Sequence, residues 1–81
     1  MTEDEIYNRL NEVFRVSFGN QSIALQPQTT AADVNGWDST RMILLILAVE
    51  AKFGIRIRNR EVDALRSVGD FVKLIQAKTR A

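Results

Sequence analysis

The stretch that most constrains this chain runs from Asp38 to Gly54. Its centre, Met42 to Val49, is an unbroken apolar run of eight residues, far too short to span a bilayer as a helix. Its ends carry helix signals. Asp38 is a good N-cap, since a short carboxylate accepts the free amide hydrogens of a first turn. Gly54 suits the left-handed position just past a last turn. The spacing predicts a helix from Asp38 or Ser39 to Phe53, with Met42, Leu45, Ile46, Val49 and Phe53 on one buried face. Ile43, Leu44 and Leu47 are then left over, so this helix is apolar around more of its circumference than a surface helix requires. Either a neighbouring loop covers them or they form a docking surface.

The rest of the chain has to supply partners for that helix. Ile6, Leu10, Val13 and Phe14 share one helical face, predicting a first helix from Thr2 to about Ser17. Thr2 and Glu5 make a capping-box pattern, and the acidic first turn complements the helix dipole. Gly19-Asn20 is a stop. Phe18 to Asp38 is then a long connection containing the single proline, Pro27. Ile23, Leu25 and Val34 are expected to pin it to the core, with a short helical turn near Ala31–Val34. Ile55-Arg56-Ile57-Arg58 alternates, but no second strand-like run exists to pair with it. It reads as an extended connector with Ile55 and Ile57 inward. Asn59 is expected to cap a short third helix, Arg60 to Leu65, with Val62 and Leu65 inward. Ser67 as N-cap with Asp70 behind it opens a fourth helix, which runs to about Lys78 and buries Val68, Phe71, Val72 and Ile75. Lys78 and Arg80 suit its C-terminal end. The expectation is an all-α single domain spanning residues 1–81: a small four-helix bundle of three longer helices and one short one, with a long loop between helices one and two.

Two absences narrow the chemistry. With neither cysteine nor histidine, the chain lacks disulfides, thiolate metal sites, ordinary zinc ligation and a Ser-His couple. Lys52 stands three to four turns along the helix from Ser39, too far to serve it as a base. There is no phosphate-binding glycine loop, and a bundle of this size offers little room for a substrate cleft between paired carboxylates. An enzyme is not expected.

Charge is divided unevenly. Residues 1–40 hold two basic against six acidic side chains, and residues 41–81 hold nine against four. The basic residues of the second half are scattered rather than gathered on one helix face, and a two-turn third helix makes a poor recognition helix. Nucleic acid is therefore not the expected partner. The acidic N-terminus lacks the basic start and apolar core of a secretory signal, so the expected compartment is the cytoplasm, without membrane insertion.

Ser39 remains. A serine at a helix start can be a cap, a nucleophile or an attachment point. Without histidine or cysteine the nucleophile is disfavoured, and an anion attached at a helix N-terminus is electrostatically at home. Composition and spacing alone leave the cap and the attachment point open.

A resemblance bears on that choice. Asp38-Ser39-Thr40, the apolar helix behind it, Val49-Glu50-Ala51-Lys52-Phe53-Gly54-Ile55 and Leu65-Arg66-Ser67-Val68-Gly69-Asp70-Phe71-Val72 together resemble the acyl carrier protein family. Thr29-Thr30-Ala31-Ala32-Asp33-Val34 and Gly36-Trp37-Asp38-Ser39 resemble a subgroup with Trp before the Asp-Ser pair. The likeness spans essentially the whole chain. It implies a monomeric carrier with a 4′-phosphopantetheine arm on Ser39, whose terminal thiol holds an acyl group as a thioester. It also implies a phosphopantetheinyl transferase, which recognises Asp38 through its metal, and acyl-activating or acyl-transferring enzymes as partners. Trp37, Thr40, Arg41, Ile43, Leu44 and Leu47 are the residues expected to meet them. A peptidyl or aminoacyl carrier and an unmodified helical interaction domain are the alternatives.

Two departures from the family pattern stand out. Thr40 occupies a position where Leu is usual. The second helix, acidic in a typical fatty-acid carrier, here carries Arg41, Leu44, Ala51 and Lys52 with Glu50 as its sole acid. Partners that read an acidic helix should bind this one poorly, which implies a specialised lipid, polysaccharide or secondary-metabolite pathway.

Overall fold

The computed structural model describes residues 1–79. Four α-helices follow one another: α1 (Glu3–Phe18), α2 (Ser39–Phe53), α3 (Asn59–Asp63) and α4 (Val68–Thr79). A single 3-10 turn, Ala31–Asp33, interrupts the long connection between α1 and α2. No strand occurs among the described residues, in line with the expected all-α bundle. Arg80 lies outside the described residues.

The helix ends form for the reasons visible in the sequence. The Glu5 amide donates to Thr2 Oγ1 at 3.2 Å, and the Thr2 amide donates back to Glu5 Oε1 at 3.4 Å. Gly19 and Gly54 adopt φ of 59° and 66°, a region open to glycine at little steric cost. There the chain turns back and the Gly54 amide donates to the Glu50 carbonyl at 2.8 Å. The third helix departs from expectation. It begins at Asn59 and ends at Asp63, so Arg58 takes the N-cap position in place of Asn59. The reason is Glu61, whose Oε1 accepts the Arg58 amide at 2.9 Å and sets the first turn one residue earlier.

The core is built around α1. Ile6, Leu10 and Phe14 are fully buried, and α1 packs against both α2 and α4, which contribute Leu45, Val49, Val68, Phe71 and Ile75. Each such side chain is worth about 1.5–3 kcal/mol relative to exposure. Met42 and Phe53, expected to be buried, are half-buried, one near each end of α2. Connector residues Ile55 and Ile57 and α3-side residues Val62 and Leu65 are also half-buried against the core.

The long loop is held at both flanks. Ile23, Leu25 and Val34 are buried. Toward α1, Asn11 Oδ1 accepts the Leu25 amide at 2.8 Å, and Arg15 Nε donates to the Ile23 carbonyl at 2.8 Å. Toward α4, the free amides of its first turn find acceptors in the loop. Val68 donates to Thr29 O and Gly69 to Pro27 O, each at 2.8 Å. The approach at Gly69 is so close that a Cβ there would stand 2.9 Å from the Pro27 carbonyl oxygen. Gly69→Ala is therefore expected to cost about 1–3 kcal/mol, as overpacking does. Urea unfolding followed by circular dichroism measures it, and a loss within experimental error would mean that the loop is not held against α4.

Candidate functional site

The site is the start of α2, and an aromatic anchor positions it. The Trp37 ring meets buried Phe14 edge-on, with centroids 5.1 Å apart and planes at 82°, a geometry worth about 0.5–1.5 kcal/mol beyond area burial. Phe18 flanks the pair at 6.3 Å, and Trp37 Nε1 donates to Met42 Sδ at 3.1 Å. Trp37 was expected to face partners. The indole is half-buried: part of it packs inside the fold, and part lines an open groove beside Ser39.

With Trp37 fixed, the next residues have little freedom. Gly36 turns the chain at φ 88°. Asp38 Oδ1 accepts the Arg41 amide at 2.8 Å, making Asp38 the N-cap of α2. Ser39 follows as the first helical residue, exposed, at the positive end of the helix dipole. Asp38 thus has a structural task, independent of any recognition role. Asp38→Ala should lower stability by about 0.5–2 kcal/mol, whereas Asp38→Asn, which still accepts at the cap, should change it by only a few tenths. Parallel thermal melts of the two variants check this; equal losses would remove the cap from the account.

The expected docking residues divide between two sides of α2. Ile43 and Leu47 are 65% and 57% exposed and line an open groove of about 740 Å³ that starts at Trp37, Asp38 and Ser39 and continues to Ile57, Val62 and Leu65. Leu44 is 56% exposed and does not line the groove. The long loop, pinned between α1 and α4, covers none of the three, which resolves in favour of exposure the choice left open by periodicity. Thr40 is exposed as well. Arg41 Nη1 donates to the Ser17 carbonyl at the end of α1, at 2.8 Å, so this side chain braces α1 against α2 while keeping its charge.

The groove's far wall was only half visible beforehand. Ile57, Val62 and Leu65 were expected to face inward, but not to leave a cleft beside α2. The available signal was the brevity of α3, which is too short to fill the space opposite Ile43 and Leu47. Glu50 Oε2 accepts the Ile57 amide at 2.8 Å and ties the connector to α2. Lys78 Nζ meets Glu61 Oε1 at 3.0 Å and ties α3 to α4. Lys52, the nearest lysine to Ser39 in sequence, pairs with Glu12 at 3.0 Å instead. No cluster of three potential metal ligands occurs among the described residues.

No family model matches the chain. Relatives do. It is 34% identical over 79 residues to an acyl carrier protein of Acidothermus cellulolyticus, covering 98% of this chain and 94% of that one. The chain belongs to the acyl carrier protein family. A meromycolate extension acyl carrier protein of Mycolicibacterium smegmatis is 31% identical over 75 residues, covering 93% and 76% of the two chains. The solution NMR structure of holo acyl carrier protein from Geobacter metallireducens superposes with a TM-score of 0.84 at 33% identity, covering 89% of this chain and 83% of that one. Acyl carrier proteins are carriers, not enzymes, and the family's prosthetic group is 4′-phosphopantetheine. They work with biosynthetic enzymes and with the transferase that installs the group. No helix among the described residues is long and apolar enough to cross a membrane.

The α3 clamp is expected to contribute to the acid sensitivity of the fold. The Arg58 amide, and then Lys78, hold the Glu61 carboxyl below its ordinary value of 4.5. A lowered carboxylate pKa stabilises the fold above the ordinary value, and that contribution is lost as pH falls through the lowered one. Glu61→Gln should therefore flatten the fall in melting temperature as pH drops through and below the ordinary carboxylate range. A variant with the same pH slope as the parent would assign acid sensitivity elsewhere.

Proposed function

We propose that Ser39 carries the 4′-phosphopantetheine arm and that the protein presents acyl groups to partner enzymes in a specialised pathway. The observation that carries this reading is an exposed serine at the first position of a capped helix, opening onto an apolar groove. A phosphodiester on Ser39 Oγ would sit at the positive end of α2, where negative charge is favoured. Ile43, Ile46, Leu47, Val62 and Leu65 would offer the arm and its cargo an apolar wall. When bound, the arm supplies a flexible thiol for thioester chemistry. The chain's own residues hold its attachment point at the surface: Phe14 fixes Trp37, and Asp38 starts the helix.

Asp38 is proposed to act a second time, in recognition by the transferase. Its Oδ1 serves the cap, and Oδ2 has no hydrogen-bond partner among the described residues. Trp37, Thr40, Arg41, Ile43, Leu44 and Leu47 are the proposed docking residues. The lone acidic residue of α2, Glu50, is occupied by the Ile57 amide. Enzymes that recognise an acidic second helix therefore find little to bind. The meromycolate extension carriers among the relatives favour a specialised lipid pathway over general fatty-acid synthesis. The carrier is proposed to act as a cytoplasmic monomer of one domain.

Co-expression with a broad-specificity phosphopantetheinyl transferase should raise the intact mass by one phosphopantetheinyl group, and Ser39→Ala should abolish the gain. A parent protein left unmodified under conditions that modify a control carrier would favour an unmodified interaction domain. Asp38→Asn should slow modification despite its near-parental stability. Substituted for the housekeeping carrier in a reconstituted fatty-acid synthase, the modified protein should support little turnover, and full activity would sink the specialised-pathway reading.

A further inference from the structure

The two methionines of the chain stand in different settings. Met1 is 46% exposed. Met42 is half-buried near the start of α2, and it lines the groove that opens at Trp37, Asp38 and Ser39. A small solute that enters the groove therefore meets this residue.

Met42 Sδ accepts the Trp37 indole N–H at 3.1 Å, and it is the one acceptor that this N–H finds among the described residues. The Met42 amide donates to the Asp38 carbonyl at 2.9 Å. One bond between side chains and one within the backbone thus close a short loop of chain, and Ser39 lies inside it. A leucine would pack in the same apolar wall but would leave the indole N–H unpaired. The thioether packs and accepts, and it carries a chemistry that leucine lacks.

We propose that Met42 is a reversible oxidation site through which a peroxide resets the loop that holds Ser39. The sulfur lone pair attacks one oxygen of hydrogen peroxide, and the O–O bond breaks. Sulfur keeps that oxygen as a sulfoxide and is oxidised by two electrons; the other oxygen leaves as water with both protons. A thiol-dependent reductase reverses the step: two thiols join as a disulfide, and their hydrogens carry the oxygen away as water. To keep its bond to Trp37, the sulfoxide oxygen would have to lie between sulfur and nitrogen. An N–H···O bond takes about 2.9 Å by itself, and the present separation of nitrogen and sulfur is 3.1 Å, so there is no room for the oxygen. Oxidation therefore moves the indole from Phe14 or moves the first turn of α2 from Trp37. It also places a strong dipole in an apolar wall beside the serine. The effect on loading rests on the reading that Ser39 carries the arm; the oxidation does not.

The test treats the folded protein with hydrogen peroxide and locates the added oxygen by tandem mass spectrometry. Met42 should react at a rate within about tenfold of exposed Met1. The emission of Trp37, the chain's single tryptophan, should shift with oxidation at Met42 and return on treatment with methionine sulfoxide reductases and a dithiol. Helical circular dichroism should persist throughout. The sulfoxide form should accept the phosphopantetheinyl group severalfold more slowly than the untreated protein. In Met42→Leu, peroxide should leave both the emission and the loading rate of that variant unchanged. A Met42 that reacts only after unfolding in urea would overturn the proposal. So would an unshifted emission, an equal loading rate, a sulfoxide that the reductases leave in place, or a loss of helicity, which would make the oxidation mere damage. Failure of the untreated protein to load would sink the carrier reading alone, and the emission and reduction measurements would still decide the Met42 site.

Discussion

Much of this structure depends on Phe14. It is fully buried on α1, and its ring receives the edge of Trp37 from the far end of a long loop. That contact converts a core helix into a ruler for the candidate site. Trp37 is held, Asp38 follows and caps α2, and Ser39 emerges at the surface one residue later. The energies involved are ordinary, about 1 kcal/mol for an aromatic pair and about 1 kcal/mol for a cap. Acting in series on three successive residues, they fix where a serine hydroxyl stands relative to the core.

The same economy explains why α2 stays open on its outer sides. A bundle this small can cover a helix only with its neighbours or its loops. The long loop is committed elsewhere, with Leu25 bonded to Asn11 of α1 and Pro27 and Thr29 receiving the first amides of α4. The third helix is a single short turn and a half, held by Glu61 and Lys78. What remains uncovered is a groove beside α2, lined by Ile43 and Leu47, and the exposed side chain of Leu44 outside it. A carrier needs both an attachment point and surfaces that other proteins can read, and here they arise from what the rest of the chain is unable to cover.

The helices were legible residue by residue. Thr2 with Glu5, Asp38, Gly19 and Gly54 mark termini through local hydrogen bonding and left-handed turns, which depend on neighbours in sequence. The third helix was misplaced by one residue because an arginine at an N-cap carries no local signal; Glu61, reaching back to the Arg58 amide, supplied it. Trp37 was expected among the docking residues, and its packing inside the fold was not foreseen. Its partner, Phe14, is more than twenty residues away, and no local pattern announces such a contact.

By itself the sequence determined that the chain is helical, where each long helix starts and stops, that Ser39 opens the most apolar of them, and that histidine and cysteine chemistry is closed to it. These are properties of periodicity, capping and composition, all short-range. Only the tertiary structure decided that the loop packs against α1 and α4 instead of lying over Ile43, Leu44 and Leu47. It alone put Ile43 and Leu47 in a groove and left Leu44 outside it. The physical reason is that exposure belongs to no residue alone: it depends on which distant surface reaches it first, and here α4's unpaired amides captured the loop.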